Sequence, residues 1–359
     1  MKILFAVNPI GLGHAARDVS LIPYLNNHRF EVTFLTGGIS AVDFLGSYGH
    51  RVLNILRPPE FPVSKKGILK NSTLWMIRYI RYYEKSKKLI AKQVDFNVYD
   101  GIISDEEFAT VSLVRQRNKP YVIITDIIGS KFAQNPVSRY IEKRTNKWFY
   151  ELFDSSPLVI IPEFGESHGS YRYTGAFVRE IEETRDQLRE KFGFHKKIVL
   201  ITTGGLKAGF FLLRKVANAI PKILEKVDKE EIEFIAAAPH IQTIGGKKRH
   251  IKFIGFQRDL HKLIYASDLV ITLAGKTTMD ECKVYGTPFI AIPIKGHFEQ
   301  EENAREEGYI YEDINRLDEL ILSKISIERM PRVKNNAEKA ANLIKDFFDK
   351  NKEFYWESN

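Results

Sequence analysis

The chain has 359 residues, 44% of them hydrophobic and 28% charged, with a formal net charge of +9 and one cysteine, Cys282. That length suits two domains or one large one around a sizeable core, and the composition is that of an ordinary soluble globular protein. A lone cysteine excludes an intramolecular disulfide and any multi-cysteine metal site, which points to a reducing cytoplasm. No apolar run reaches the ~18 residues of a membrane span, and the opening MKILFAVNP is too short for a signal peptide.

Taken in order, the first half alternates strand and helix. Residues 3–7, 32–36, 52–55, 101–104, 121–125 and 158–161 are apolar, β-branched runs that read as strands, and 14–26, 107–117 and 136–152 carry helical patterns. An irregular, glycine-bearing stretch after Pro162 reads as a linker over 163–179. The second half repeats the design, with strands at 198–202, 234–238, 251–256, 269–273 and 289–294 and helices near 210–226, 276–285 and 333–350. The expectation is an α/β protein of two Rossmann-like, doubly wound domains, 1–162 and 180–332, facing each other across a cleft, with a final segment over 333–359. Ligands in such sheets bind outside the carboxyl ends of the strands.

The positive charge is concentrated. Between Lys65 and Lys92 stand nine basic residues against one acid, Glu84, a local balance of +8. At 100° per residue Arg78, Arg81, Lys85, Lys88 and Lys92 form one stripe flanked by Trp75 and Tyr82, with Met76, Ile80, Tyr83 and Ile90 towards the other side. Basic residues bordered by aromatics suit an anionic membrane surface or an acceptor bound there. A lysine-rich solvated helix accounts for the same pattern, and nucleic acid is less favoured because no matching module is present.

Three glycine turns follow strands. The first, Asn8 to Arg17, includes Gly11 and Gly13 and places His14 at the mouth of a helix, whose dipole favours a neutral imidazole with one nitrogen available as a general base; a helix-entry residue bonded to nearby carbonyls is the alternative. Asp105 ends another strand and is a candidate to assist His14 or to replace it, while Glu106 and Glu107 read as helix caps. Asp126, at the end of the next strand, is a candidate to line the acceptor side. The second turn, Thr203, Gly204, Gly205 and Lys207, forms a backbone nest for an anion. The third, Gly275, opens a helix in which Thr277 and Thr278 stand at the start and Asp280 and Glu281 follow as in a capping box. Helix-start amides there suit a phosphate, and Lys276 offers a mobile charge. Beyond the next strand, Gly296, His297, Phe298, Glu299, Gln300 and Asn303 present sugar-type hydrogen-bonding groups. Glu281 as a plain cap and Glu299 as a solvated helix start are the structural alternatives. No Asp-x-Asp occurs, so metal independence, without a cofactor, is the expectation.

Gly-Leu-Gly-His at 11–14, Thr-Gly-Gly at 203–205, Ala-Gly-Lys-Thr-Thr-Met-Asp-Glu at 274–281 and Gly-His-Phe-Glu-Gln-Glu-Glu-Asn-Ala at 296–304 together resemble glycosyltransferases of family 28. That family includes the bacterial enzyme that adds N-acetylglucosamine to the lipid-linked peptidoglycan precursor, and archaeal relatives. The resemblance implies the GT-B fold, a C-terminal helix packing back on the first domain, and a UDP-sugar held by the second. By resemblance, Glu281 meets the ribose hydroxyls, the loop with Phe256 meets the base, Glu299 and Gln300 face the donor sugar, and His14 is the base. The chain departs from the pattern at Pro9-Ile10-Gly11-Leu12, at Lys276 and at Glu299. The resulting expectation is an inverting transferase moving N-acetylglucosamine or another hexose to a lipid-linked acceptor at the cytoplasmic membrane face. A soluble or glycan acceptor, a nucleotide-sugar hydrolase and a non-enzymatic sugar-nucleotide-binding or membrane-scaffolding subunit are the alternatives.

Overall fold

The computed structural model describes residues 1–60, 62–131, 133, 136–204, 207–238 and 250–356. The chain divides into two compact units, one of Met1–Glu60, Ser72–Arg179 and Asn335–Asn359, the other of Phe61–Asn71 and Glu180–Lys334.

The first unit is built on strands β1 (Lys2–Val7), β2 (Glu31–Gly37), β3 (Arg51–Leu56), β4 (Gly101–Asp105), β5 (Tyr121–Ile124), β6 (Val159–Ile161) and β7 (Tyr171–Tyr173). They pair in parallel in the order β3-β2-β1-β4-β5-β6-β7. Its helices are α1 (Gly13–Val19), α2 (Ile22–Asn27), α3 (Ile39–Ser47), α4 (Ser72–Gln93), α5 (Phe108–Arg115) and α6 (Pro136–Asp154). Strand side chains alternate between two faces. Ile3, Phe5 and Val7 enter a core shared with α1, α2 and α3, while Leu4 and Ala6 enter one shared with α4, α5 and α6. Both faces are covered, which is why β1 and β4 are apolar without interruption until their ends.

The second unit contains α7 (Arg185–Phe192), β8 (Lys197–Thr202), α8 (Phe210–Leu224), β9 (Ile232–Ala237), β10 (Ile251–Phe253), α9 (Leu260–Ala266), β11 (Leu269–Leu273), α10 (Lys276–Tyr285), β12 (Phe289–Ile292), α11 (Phe298–Glu306) and α12 (Leu317–Lys324). Its five strands are parallel, in the order β10-β9-β8-β11-β12. In each unit the winding direction reverses beside the first strand, between β1 and β4 and between β8 and β11. These are the topological switch points at which open α/β sheets bind ligands.

Helix α13 (Ala337–Trp356) belongs to the first unit. Ala337, Ala340, Ala341, Ile344 and Phe348 recur at helical spacing and are buried in the core of α1 to α3. The Phe348 ring lies against Gly101, where a β-carbon has no room. The side chains of the aromatic end, Phe354 to Trp356, lie outside the described residues.

Two stretches differ from the sequence expectation. The supposed linker 163–179 carries β7, joined to β6 by Val159 N–H to the Ser170 carbonyl and Thr174 N–H to the Ile161 carbonyl (2.9 and 3.0 Å); three strand residues are too few to show a period. Phe61–Asn71, in the middle of the supposed first domain, belongs to the second unit. There Leu69 N–H donates to the Lys295 carbonyl (2.8 Å) and Lys295 N–H to the Gly67 carbonyl (2.9 Å). Gly67, at φ 81°, sits against the Phe211 ring.

Candidate active site

The first switch point is built by the ends of β1, β4 and β5. Val7 lies opposite Asp105 in the β1–β4 register, and Asn8 N–H donates to the Asp105 carbonyl (2.9 Å). The Asn8 side chain then accepts from Ile10 N–H (3.0 Å), an Asx turn, and Gly11 adopts φ 81°. This turn delivers His14 into the first turn of α1.

His14 Nδ1 lies 3.1 Å from Asp105 Oδ1 and 3.3 Å from Arg17 Nη2. The two contacts demand opposite tautomers. The shorter one prevails, because a lone pair on Nδ1 would otherwise face the Asp105 carboxylate at 3.1 Å. The proton therefore sits on Nδ1 and the lone pair on Nε2. Burial disfavours an imidazolium here, but the charge and hydrogen bond of Asp105 outweigh it, and the His14 pKa is raised above its ordinary value. This corrects the expectation of a helix dipole holding the ring neutral: the carboxylate in contact dominates. Asp105 is fully buried; burial alone would raise its pKa, but Arg17 and His14 hold it down at about 2.

Arg17 also donates through Nη1 to Asp126 Oδ2 (2.9 Å) and through Nε to Asp105 Oδ2 (3.1 Å), fixing both carboxylates on one guanidinium. Glu107 caps α5 as expected, accepting from Thr110 N–H at 2.7 Å. Glu106 does not cap. It is buried at φ 52°, with Oε2 3.7 Å from His14 Nε2. Arg17 was not singled out from the sequence; its only local signal is the one-turn spacing from His14.

At the second switch point, Thr272 of β11 lies opposite Thr202 of β8. Thr203 is buried, Gly204 takes φ 62°, and Gly209 packs on the Thr203 side chain with no room for a β-carbon. Gly205 and the side chain of Lys207 lie outside the described residues. Gly275 is the N-cap of α10 at φ −81° and ψ 130°, a conformation open to any residue, and a β-carbon there meets nothing within 4 Å. Neither strain nor internal crowding explains this glycine.

The helix begins at Lys276, so Thr277 and Thr278 lie inside its first turn and the anticipated capping box is replaced by the Gly275 N-cap. Lys276 is not mobile: Nζ donates to both oxygens of Asp280 (2.7 and 2.8 Å). Glu281 is buried on the same helix. His297 Nδ1 accepts from Gln300 N–H at 3.4 Å and caps α11; burial pushes its pKa down to about 4, which keeps it the neutral acceptor that capping requires. Gln300 Oε1 accepts from Ile294 N–H (3.0 Å), and Asn303 Nδ2 donates to the Ala274 carbonyl (3.2 Å), tying α11 to the Gly275 turn. Glu299 is half-buried, and Phe256 is exposed just beyond Gly255. The strand expected through 256 ends at Phe253.

On α4, Arg78, Arg81, Lys85 and Lys88 are exposed, forming the expected basic stripe. Tyr82 does not flank it but is buried in the core, and Trp75 stacks on Tyr79 with centroids 5.3 Å apart. The exposed apolar neighbours are Leu74 and Ile80, the latter expected on the opposite side. A second basic face stands on α6, where Arg139, Tyr140, Lys143, Arg144, Lys147 and Tyr150 are exposed. The two helices meet through Tyr83 and Trp148 at 5.6 Å. Among the described residues no helix is long and apolar enough to cross a membrane.

Comparison with known proteins agrees with this arrangement. Residues 199–353 match the glycosyltransferase family 28 C-terminal domain. An uncharacterized glycosyltransferase of Methanosarcina acetivorans is 26% identical over 86% of this chain and 84% of its own length. The UDP-N-acetylglucosamine--N-acetylmuramyl-(pentapeptide) pyrophosphoryl-undecaprenol N-acetylglucosamine transferase of Fusobacterium nucleatum is 27% identical over 94% and 95%. The solved structure of the Streptomyces sp. SF2575 glycosyltransferase SsfS6, complexed with thymidine diphosphate, superposes with a TM-score of 0.60 at 13% identity, covering 98% of this chain and 96% of that one. The fold and relatives define a glycosyltransferase of the GT-B fold. Within that class the chain is similar to glycosyltransferases of family 28, whose C-terminal domain its residues 199–353 match.

Proposed function

We propose that the protein is an inverting, metal-independent transferase that moves N-acetylglucosamine or another hexose from a UDP-sugar to a lipid-linked acceptor at an anionic membrane surface. The observation that carries this reading is the chemistry of the switch points: an imidazole with Nδ1 fixed on Asp105 in one unit, and an open glycine at a helix start in the other. In this reading the acceptor hydroxyl gives its proton to His14 Nε2 and attacks the anomeric carbon, while Asp105 stabilises the imidazolium. Asp105 has no exposed surface and acts through His14 rather than as the base itself. Main-chain amides at Gly204 and the start of α10 hold the departing diphosphate. Glu281 and Phe256 serve the nucleoside, and Glu299 and Gln300 the sugar, as in the family resemblance. The Fusobacterium relative's name supports a UDP-sugar donor and a polyprenyl-linked acceptor, and the basic faces of α4 and α6 support a membrane surface.

Calorimetric titration with UDP and UDP-N-acetylglucosamine tests the donor half, and the absence of binding heat for either sinks it. Flotation on vesicles containing anionic lipid tests the acceptor half. Replacing Arg78, Arg81, Lys85 and Lys88 together removes roughly 1 kcal/mol of attraction per residue, so partitioning falls steeply. Equal flotation of variant and wild type favours a soluble acceptor.

A further inference from the structure

Glu106 is a buried acid with no part in forming β4 or capping α5. It closes β4 in the left-handed region, at φ 52°, a conformation uncommon for a residue with a β-carbon, which persists where the surrounding contacts hold it. Its Oε1 accepts from Thr125 Oγ1–H at 3.0 Å and from Asp126 N–H at 3.2 Å. With two donors on Oε1, a proton on this carboxyl resides on Oε2. That oxygen stands 3.7 Å from His14 Nε2, the nitrogen that carries the lone pair. The groups around it are His14, Arg17 and Asp18 on α1, Asp105 and Glu107 beside it, Asp126 after β5 and Tyr79 on α4. Burial first, then Asp126 and Asp105, raise the Glu106 pKa well above the usual carboxylate range against the opposing pull of Arg17. This direction favours the protonated carboxyl, with Asp126 as its hydrogen-bonding neighbour.

A separation of 3.7 Å is too long for a direct hydrogen bond. It is the span closed by an oxygen about 2.8 Å from each partner. The geometry points to Glu106 as a second residue that contacts the acceptor: the attacking hydroxyl sits between Nε2 and Oε2, donating its proton to the first and accepting a hydrogen bond from the second. The inference rests on the reading of His14 as the base. In the step the acceptor O–H bond breaks and its proton moves to Nε2, while an oxygen lone pair forms the bond to the anomeric carbon. The anomeric carbon–phosphate oxygen bond breaks, and its electron pair leaves on the diphosphate. Glu106 retains its proton throughout and fixes the direction of the lone pair that attacks.

The test is UDP release from UDP-N-acetylglucosamine by the full chain, with a short-chain polyprenyl-diphosphate-linked hexosamine as acceptor. Glu106→Ala lowers kcat by about 10²-fold and raises the acceptor KM, while donor KM and UDP affinity stay unchanged. Glu106→Gln, which keeps a neutral donor of the same reach, recovers kcat to within about 10-fold of wild type. Thr125→Val, which removes one of the two donors to Oε1 together with the Oγ1 that accepts from Ile127 N–H, separates that anchoring from acceptor contact by leaving the acceptor KM within threefold. If Glu106→Ala fails to fold, Glu106→Gln and Glu106→Asp carry the test, the shortened acid raising the acceptor KM and the amide sparing it. Full activity in Glu106→Ala, or equal losses in the Ala and Gln variants, overturns the inference. A dead His14→Ala beside a fully active Glu106→Ala refutes this inference alone, whereas a fully active His14→Ala refutes the base reading beneath it.

Discussion

The two switch points share a topology and oppose each other in chemistry. At β1 and β4 the turn brings together His14, Arg17, Asp105, Glu106 and Asp126, and hydrogen bonds between side chains set the state of the imidazole. At β8 and β11 the turns present glycines and a helix start, and two charges of α10, Lys276 and Asp280, pair with each other. The sheet order decides where a ligand meets each unit. The side chains decide what can be done to it: in the proposed reading one end handles a proton and the other holds an anion with fixed backbone dipoles.

His14→Ala is the largest expected break in this division. Removing a general base costs on the order of 10³-fold in kcat, and UDP affinity, which the proposed reading assigns to the other unit, stays at the wild-type value. Calorimetry alongside turnover reads both. A variant that loses nucleotide affinity together with turnover denies the division of labour.

Asp105→Asn is next, at about 10²-fold in kcat, and pH sharpens it. The neutral form of His14 is the active one, so activity falls as pH drops through its pKa, which lies above the ordinary 6.5. Losing the carboxylate that raises this pKa shifts the acid limb to lower pH. The plateau also falls, because nothing then fixes the proton on Nδ1. An unmoved acid limb in the pH–kcat/KM profile removes Asp105 from control of the imidazole.

At the neutral switch point the sensitive atom is an absent one. Gly275→Ala meets no protein atom within 4 Å and keeps an ordinary φ of −81°, so the melting temperature holds. If the diphosphate approaches the backbone there as proposed, the added methyl takes its space and affinity for UDP falls about 10-fold, equivalent to roughly 1.4 kcal/mol. Unchanged affinity shows that the ligand backbone does not approach there.

What was legible in the sequence follows the same division. The glycine turns after β1, β8 and β11 and helix α10 are local features, set by apolar runs and their punctuation, and all stand close to where the sequence implied. The charged cluster is not local. Residues 14, 17, 105, 106 and 126 converge only because β1, β4 and β5 are adjacent in the sheet, with Val7 opposite Asp105, and no window of sequence contains that register. Glu106 was misread because an acid after a strand and before a helix has the sequence pattern of a cap, and only its left-handed φ turns it inward. Tyr82 was misplaced because an aromatic beside a basic stripe has the same sequence pattern at an interface and in a core. Phe61–Asn71 carries one internal bridge, Val63 to Leu69, one bridge to the second unit, Ile68 to Lys295, and no period, so its membership of the second unit had no local signature.

The smallest expected effect is that of chelation, and its smallness is what the comparison requires. If helix-start and nest amides neutralise the leaving diphosphate, turnover with EDTA matches turnover with added magnesium, within about twofold. A divalent ion would otherwise be worth several kcal/mol in the transition state, a difference too large to miss. Were activity to vanish on chelation and return with magnesium, the second switch point would owe its anion-holding to an ion brought with the donor. The open face at Gly275 would then read as room for that ion's shell. Retained activity in EDTA, combined with the Gly275→Ala loss, assigns the charge compensation to the backbone itself.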